Sequence, residues 1–248
     1  MKEIFPKDNY KIIVSGDSIS KGVVYNEEQG KYTVIKDNYV SLIQDKIKGI
    51  VCNAAKFGNT IIRGIGKLQN EIIKNKPDIV LIEYGGNDCD FDWDEIAKNP
   101  KANHSPKTDI SVFKKMLYDE INSLMSKNII PVLMTLPPLD ADRYFKWITK
   151  NSATVANSIL EWLGSINKIY WWHEMYNSVI VNIAEETKTR WIDIRGAFLQ
   201  TADFRHLLCI DGIHPNEKGH KLIAAKIFEY IKSNYSFMLK NGVQFSFE

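Results

Sequence analysis

Paired cysteines are missing from this chain. Cys52, Cys89 and Cys209 are scattered through 248 residues, and no two stand in a CxxC spacing. An odd, sparse set is no disulfide framework, and it disfavours a zinc ribbon or a thioredoxin-like centre. The ordinary reading of each is a small core or near-core residue. A charge of one sign is missing too. The 32 Lys and Arg are balanced by 30 Asp and Glu, for a net charge of +2, so there is no electrostatic footprint for nucleic acid or an anionic membrane. No stretch approaches the roughly 18 apolar residues of a membrane span, so no membrane insertion is expected. Near the start, Glu3, Pro6, Lys7 and Asp8 interrupt any secretory pattern, which makes a cytoplasmic protein the expectation. There is no internal repeat, no low-complexity tract and no Gly/Ser/Pro-rich linker, so residues 1–248 read as one domain. A G-x-S-x-G elbow, a P-loop and a G-x-G-x-x-G after a strand are also lacking, which disfavours the α/β-hydrolase fold and the common nucleotide sites.

What is present is an ordinary soluble composition, with 44% hydrophobic and 25% charged residues. Five short apolar runs stand out, at 11–15 (KIIVS), 50–54 (IVCNA), 79–84 (IVLIEY), 130–135 (IPVLMT) and 190–194 (RWIDI). Most are β-branched and nearly continuously apolar, as strands buried on both faces are. Asp193 weakens the last. Between them, apolar residues recur at three and four, predicting helices over 38–48, 60–76, 109–127, 152–163, 174–186 and 217–233. The second of these carries Ile61, Ile65, Leu68, Ile72 and Ile73 as its stripe. Strand alternating with helix predicts an α/β parallel sheet, whose working groups lie past the carboxyl ends of the strands.

Four such positions carry chemistry-bearing residues. After the first run, Gly16 permits a sharp exit from the strand, and Ser18 falls at the start of a helical turn. Unpaired N–H groups there suit a developing negative charge, although Asp17 or Ser18 could equally be a simple helix cap. Gly58 reads either as a turn glycine or as a backbone N–H that a ligand can approach. Gly85-Gly86-Asn87-Asp88 makes a tight turn, and Asn87 held there offers N–H donors to a reacting oxygen. In Asp211-Gly212-Ile213-His214-Pro215, the carboxylate can take one ring proton and leave the other nitrogen as a base, or the two can form a plain surface pair.

Together and in this order, these blocks resemble those of the SGNH hydrolases, the GDSL esterase/lipase family. Gly16-Asp17-Ser18 matches the nucleophile block, Gly58 in N-x-A-x-x-G-x-T the second, Gly85-Gly86-Asn87-Asp88 the G-x-N-D block and Asp211-x-x-His214-Pro the last. The resemblance implies Ser18 as nucleophile, His214 as general base and acid, and Asp211 as the orienting carboxylate. It implies an oxyanion hole of the Ser18 N–H, the Gly58 N–H and the Asn87 side chain. The implied fold is a three-layer α/β/α sandwich around five parallel strands in flavodoxin-like order, with no metal and no cofactor. The implied activity is cleavage of a small carboxylic ester through an acyl-enzyme. A short acyl group is expected, with an acetylated sugar among the candidates. An acyltransferase, a lysophospholipase or thioesterase, and a silent binding module are the competing readings. Oligomeric state stays open.

Asp17 is expected to support the turn rather than the chemistry. Asp17, Phe91, Trp93 and Tyr144 are the candidate pocket residues. The acidic run 88–95 begins like a calcium loop but has Trp93 where Gly is needed and Asn99 where Glu is needed, which excludes an EF-hand. It reads as a solvated loop or as a pocket wall. Tyr144, Phe145 and Trp147 read as helix packing, Trp171-Trp172-His173 as core and surface packing, and His220 as a surface residue of the last helix. Whether 88–107 and 137–150 form a lid is left open.

Overall fold

The computed structural model describes residues 4–245, so Glu3 lies outside the described residues. Along the chain run β1 (Tyr10–Gly16), α1 (Ser18–Lys21), β2 (Val23–Asn26), β3 (Lys31–Val34), α2 (Tyr39–Gln44), β4 (Gly49–Asn53), α3 (Ile61–Asn75), β5 (Ile79–Glu83) and α4 (Trp93–Lys98). They are followed by α5 (Ile110–Ser126), β6 (Ile130–Met134), α6 (Ala141–Thr149), α7 (Ala153–Leu163), α8 (Asn167–Thr187), β7 (Arg190–Ile192), α9 (Ile194–Leu199) and α10 (Glu217–Asn234).

β1, β4, β5, β6 and β7 form one sheet in the order β4-β1-β5-β6-β7, every neighbouring pair parallel. That is the flavodoxin-like order expected. Successive side chains of a strand point to opposite faces, and the core divides accordingly. Ile12, Val14, Ile79, Leu81, Ile130 and Val132 pack on one face with α2, α9 and α10. Ile13, Val80, Ile82 and Leu133 pack on the other with α3, α5 and α8. The chain leaves β1 toward β4 on one side and toward β5 on the other. The crevice at the carboxyl ends of β1 and β5 is therefore the switch point at which such sheets bind ligands.

The boundaries differ from the periodicity in instructive ways. The fifth strand stops at Ile192, because the Asp193 side chain accepts from the Gly196 N–H and starts α9. β4 is an edge strand, and Ile50 on it is exposed rather than buried on both faces. Ile73 is 74% exposed and falls off the α3 stripe, which is carried by Ile61, Leu68 and Ile72. α8 begins seven residues before its predicted start. The hairpin β2–β3, with Tyr25 paired to Tyr32, and the short helices α4 and α9 were not foreseen.

A third apolar cluster joins α4, α6, α7 and the start of α8 through Phe91, Trp93, Ile96, Tyr144, Phe145 and Ile159. The segments 88–107 and 137–150 are thus packed against each other, and they form one wall above the sheet.

Candidate active site

At the end of β1 the chain must turn at once into α1, and the turn is tight. A Cβ on Gly16 would lie 2.5 Å from Ser20 Oγ and 2.9 Å from the Glu83 backbone oxygen. Asp17 caps α1, its Oδ1 accepting from the Ile19 N–H at 2.9 Å. This sets Ser18 as the first helical residue, 6% exposed. Asp211 and His214 lie in one turn before α10. Asp211 Oδ1 accepts the N–H groups of Ile213 and His214, both at 3.1 Å. His214 Nδ1 lies 2.6 Å from Asp211 Oδ2, and His214 Nε2 lies 2.9 Å from Ser18 Oγ, across 196 residues of sequence.

Asp211 is wholly buried. Burial alone would raise its pKa, but the His214 contacts and the two backbone donors outweigh it and hold the carboxyl below its ordinary range. It is therefore a carboxylate, able to fix the ring tautomer with the proton on Nδ1. That leaves Nε2 to accept from the Ser18 hydroxyl. A fourth donor to Asp211, which sequence reasoning missed, is Tyr32 on β3. Its hydroxyl donates to Asp211 Oδ2 at 3.1 Å, and its ring lies 5.1 Å from that of His214. The hairpin signal was in the chain, as two β-branched and aromatic runs, VVYN and KYTV, around a connection ending in Gly30.

The candidate oxyanion donors converge on the same spot. Gly58 has φ +70°, a conformation that favours glycine, and nothing lies within 4 Å of where its Cβ would be. Its N–H has no backbone acceptor among the described residues. Asn87 Nδ2 donates to Asp17 Oδ2 at 3.0 Å, which uses one amide hydrogen and leaves the other free. Asp17 is itself 1% exposed, and its two carboxylate oxygens cap the α1 turn and hold the Asn87 amide. Beneath it lies Glu83, whose Oε2 accepts from Ser20 Oγ at 2.7 Å. Burial, then the neighbouring Asp17, pushes the Glu83 carboxyl well above the ordinary carboxylate range.

Ser18, Gly58, Asn87 and His214 open into a cavity of about 880 Å³. Phe91, Trp93 and Tyr144, the expected pocket residues, line it, joined by Tyr32, Phe57, Trp147, Trp172 and His173. The acidic run is neither a cation loop nor solvated throughout. Asp90 Oδ1 accepts from Trp93 Nε1 (2.8 Å) and Tyr144 OH (2.7 Å), while its Oδ2 takes Lys107 (2.7 Å). Asp92 caps α4. Trp171 is exposed, as surface packing implies, but Trp172 and His173 face the cavity. His220 is no surface residue: it is fully buried, and its Nδ1 accepts from the Tyr39 N–H at 3.4 Å. Cys89 and Cys209 are buried, and all three cysteines are free thiols. Among the described residues no helix is long and apolar enough to cross a membrane, and no group of three His, Cys, Asp or Glu could hold a metal.

Known proteins share this arrangement of fold. A GDSL esterase/lipase of Oryza sativa subsp. japonica is 21% identical over 159 residues, 63% of this chain and 54% of the rice protein, so the match spans about half of that relative. An acetylxylan esterase of Geobacillus stearothermophilus is 21% identical over 238 residues, 90% of this chain and 96% of that protein. Among solved structures, a lipase/acylhydrolase from Enterococcus faecalis superposes with a TM-score of 0.67 at 22% identity, over 95% of this chain and 100% of the other. A catalytic mutant of the Geobacillus acetylxylan esterase superposes with a TM-score of 0.63 at 21% identity, over 92% and 96% of the two chains. The model of GDSL-like lipases and acylhydrolases matches residues 12–227, and with the four sequence blocks and the five-stranded sheet this places the chain in the GDSL-like lipase/acylhydrolase family.

Proposed function

We propose that the chain is one catalytic domain that hydrolyses a carboxylic ester through Ser18, His214 and Asp211. Family membership supports acylhydrolase chemistry, and the esterases among its relatives agree with it. The observation that carries the mechanism is the unbroken contact Ser18 Oγ–His214 Nε2–Asp211, at 2.9 and 2.6 Å. His214 takes the Ser18 proton as the hydroxyl attacks the acyl carbonyl. The oxyanion forms against the N–H groups of Ser18 and Gly58 and the free amide hydrogen of Asn87. Each such donor is worth about 2.7–4 kcal/mol to the transition state. His214 then protonates the leaving alcohol, and it activates a water molecule to release the acid from the acyl-enzyme.

The substrate joins a short acyl group to a larger, ring-shaped alcohol. The cavity is near the top of the range for small-molecule sites, roughly 300–1,000 Å³, and at about 880 Å³ it far exceeds what an acetyl group fills. Its indole and phenyl walls suit the apolar face of a saccharide ring. That fits the acetylxylan esterases among the relatives.

The test compares the native protein with Ser18→Ala on nitrophenyl esters from acetyl to octanoyl. The variant is expected to lose at least 10³-fold in kcat, roughly the scale of removing a triad member, and a fluorophosphonate should label only the native chain. Hydrolysis that survives in Ser18→Ala would overturn the nucleophile assignment. Faster turnover of octanoyl than acetyl esters would overturn the short-acyl reading.

A further inference from the structure

At about 880 Å³ the cavity is far larger than the reacting groups occupy. Besides Ser18 and His214, its lining includes Trp172 and His173 near the start of α8, and the Trp172 ring lies 4.5 Å from that of Phe91. His173 is 6% exposed. Its Nδ1 lies 3.3 Å from Arg195 Nη1. A guanidinium has only donors, so Nδ1 must accept, and the ring proton of the neutral imidazole resides on Nε2.

Arg195 cannot swing away to allow the other tautomer. Its backbone N–H donates to Thr135 Oγ1 at 2.9 Å, and its Nη1 also reaches the Leu136 carbonyl at 3.5 Å. Its Nη2 is paired with Glu174 at 2.6 Å, and its guanidinium lies 4.9 Å from the Tyr170 ring centre. Burial, then the charge of Arg195, lowers the His173 pKa to about 3. The ring is therefore neutral throughout the range in which an esterase with a histidine base works. Its Nε2–H has no acceptor among the described residues, yet it is not among the atoms sealed from solvent. The ring that carries it lines the cavity.

We propose that His173 Nε2–H is a fixed donor to a hydroxyl or ring oxygen of the leaving alcohol, and that this end of the cavity is a subsite for a polyhydroxylated ring. The proposal rests on the esterase reading and names the alcohol part of its substrate. An aliphatic acyl chain filling the same space would bury the N–H without a partner. A site built to hydrogen-bond a substrate oxygen rejects the analogue that lacks it much more strongly than a purely apolar pocket rejects a misfit. Trp172 supplies an apolar face, and His173 supplies a fixed donor toward which an acceptor oxygen must lie.

The experiment compares two acetates with the same acyl group and the same ring size: a methyl pyranoside carrying one O-acetyl group, and cyclohexyl acetate. The readout is the ratio of their kcat/KM values. The native enzyme should favour the pyranoside. His173→Leu should lower the ratio about tenfold, the scale of one hydrogen bond donor left out, whereas His173→Gln, which keeps an N–H donor, should retain most of it. A structural role alone would reduce both esters together. A ratio unchanged in His173→Leu, or lost equally in His173→Gln, overturns the proposal. Where His173→Leu fails to fold, the native protein decides. Adding the deacetylated methyl pyranoside at high millimolar concentration should shift the 15N resonance of His173 Nε2, and no shift overturns the subsite. Hydrolysis of both esters by Ser18→Ala would instead sink the nucleophile assignment, with the sugar-induced shift still open to measurement.

Discussion

Asp211 accepts four hydrogen bonds, three from its own turn and one from Tyr32, which arrives from the hairpin. The Tyr32 hydroxyl competes with His214 for the same oxygen, Oδ2. Removing it concentrates the carboxylate's charge on the His214 proton and so favours the protonated ring. Tyr32 is thus a positioning residue that acts through Asp211. Tyr32→Phe should keep the ring against His214 and lower kcat/KM about 3- to 10-fold at neutral pH, the worth of one hydrogen bond. The acid limb of its pH–rate profile should move to higher pH. A profile that keeps its shape and only drops in height would show that the hydroxyl does no more than hold the hairpin. At this scale the chain was legible where chemistry comes in short blocks. Ser18, Gly58 and Asn87 follow strand ends and Asp211 and His214 lie beyond the last strand, each within a recognisable motif, and the structure brings them together. Tyr32 and His173 were not legible. Each matters because of a partner 179 and 22 residues away, respectively, and neither lies in a motif.

Elements outside the sheet shape the cavity, and one of them depends on an unusual cap. Thr60 occupies the N-cap position of α3 but makes no side-chain capping bond. Asp88, from the turn after β5, does this across the crevice, its two carboxylate oxygens accepting from the Ile61 N–H at 3.0 and 3.2 Å. The Asp of the G-x-N-D block therefore ties the segment bearing Asn87 to the helix that follows Gly58, and so holds the two proposed oxyanion donors in one frame. Asp88→Ala leaves that N–H buried without a partner, and it should cost about 1–3 kcal/mol of stability together with much of the esterase activity. Asp88→Asn, whose amide oxygen can still accept, should recover most of both. Urea unfolding alongside acetate turnover checks this, and an alanine variant of native stability and rate would refute it. The long elements were legible because their periods of two and 3.6 run for several turns or over whole strands. α4 is six residues long and was hidden inside an acidic run whose charges are spent on caps and on Asp90's partners. The edge position of β4 was not legible in its own residues, because strand order is a tertiary property, and only the family resemblance implied it.

Besides His214, two histidines among the described residues are buried, and burial disfavours their charged form. Burial, then the Arg195 charge for His173 and His214 for His220, lowers each pKa to about 3. In the unfolded chain both would titrate near 6.5. Between those values the unfolded state binds more protons than the folded state, so stability rises with pH there. The contribution is fully present above about pH 6.5 and is lost as the pH falls toward 3. Buried carboxyls whose pKa is raised act in the opposite sense. Asp88 is raised to about 6 and Glu120 to about 7, both chiefly by burial, and each takes up its proton more readily in the fold, which stabilises the fold as the pH drops below those values. The net profile is thus a difference between opposing groups, and a single variant isolates one of them. His220 is the cleaner choice, because its Nε2 is buried without a hydrogen bond partner and its Nδ1 accepts only from the Tyr39 N–H. His220→Leu leaves that N–H without an acceptor, a cost that does not vary with pH and so cancels between two pH values. The native protein should lose roughly 2 kcal/mol more than His220→Leu on going from pH 7 to pH 5, the value for one proton taken up only by the unfolded chain. Urea unfolding of both proteins at the two pH values measures this double difference, and a value near zero would mean that His220 is protonated in the fold as readily as in the unfolded chain.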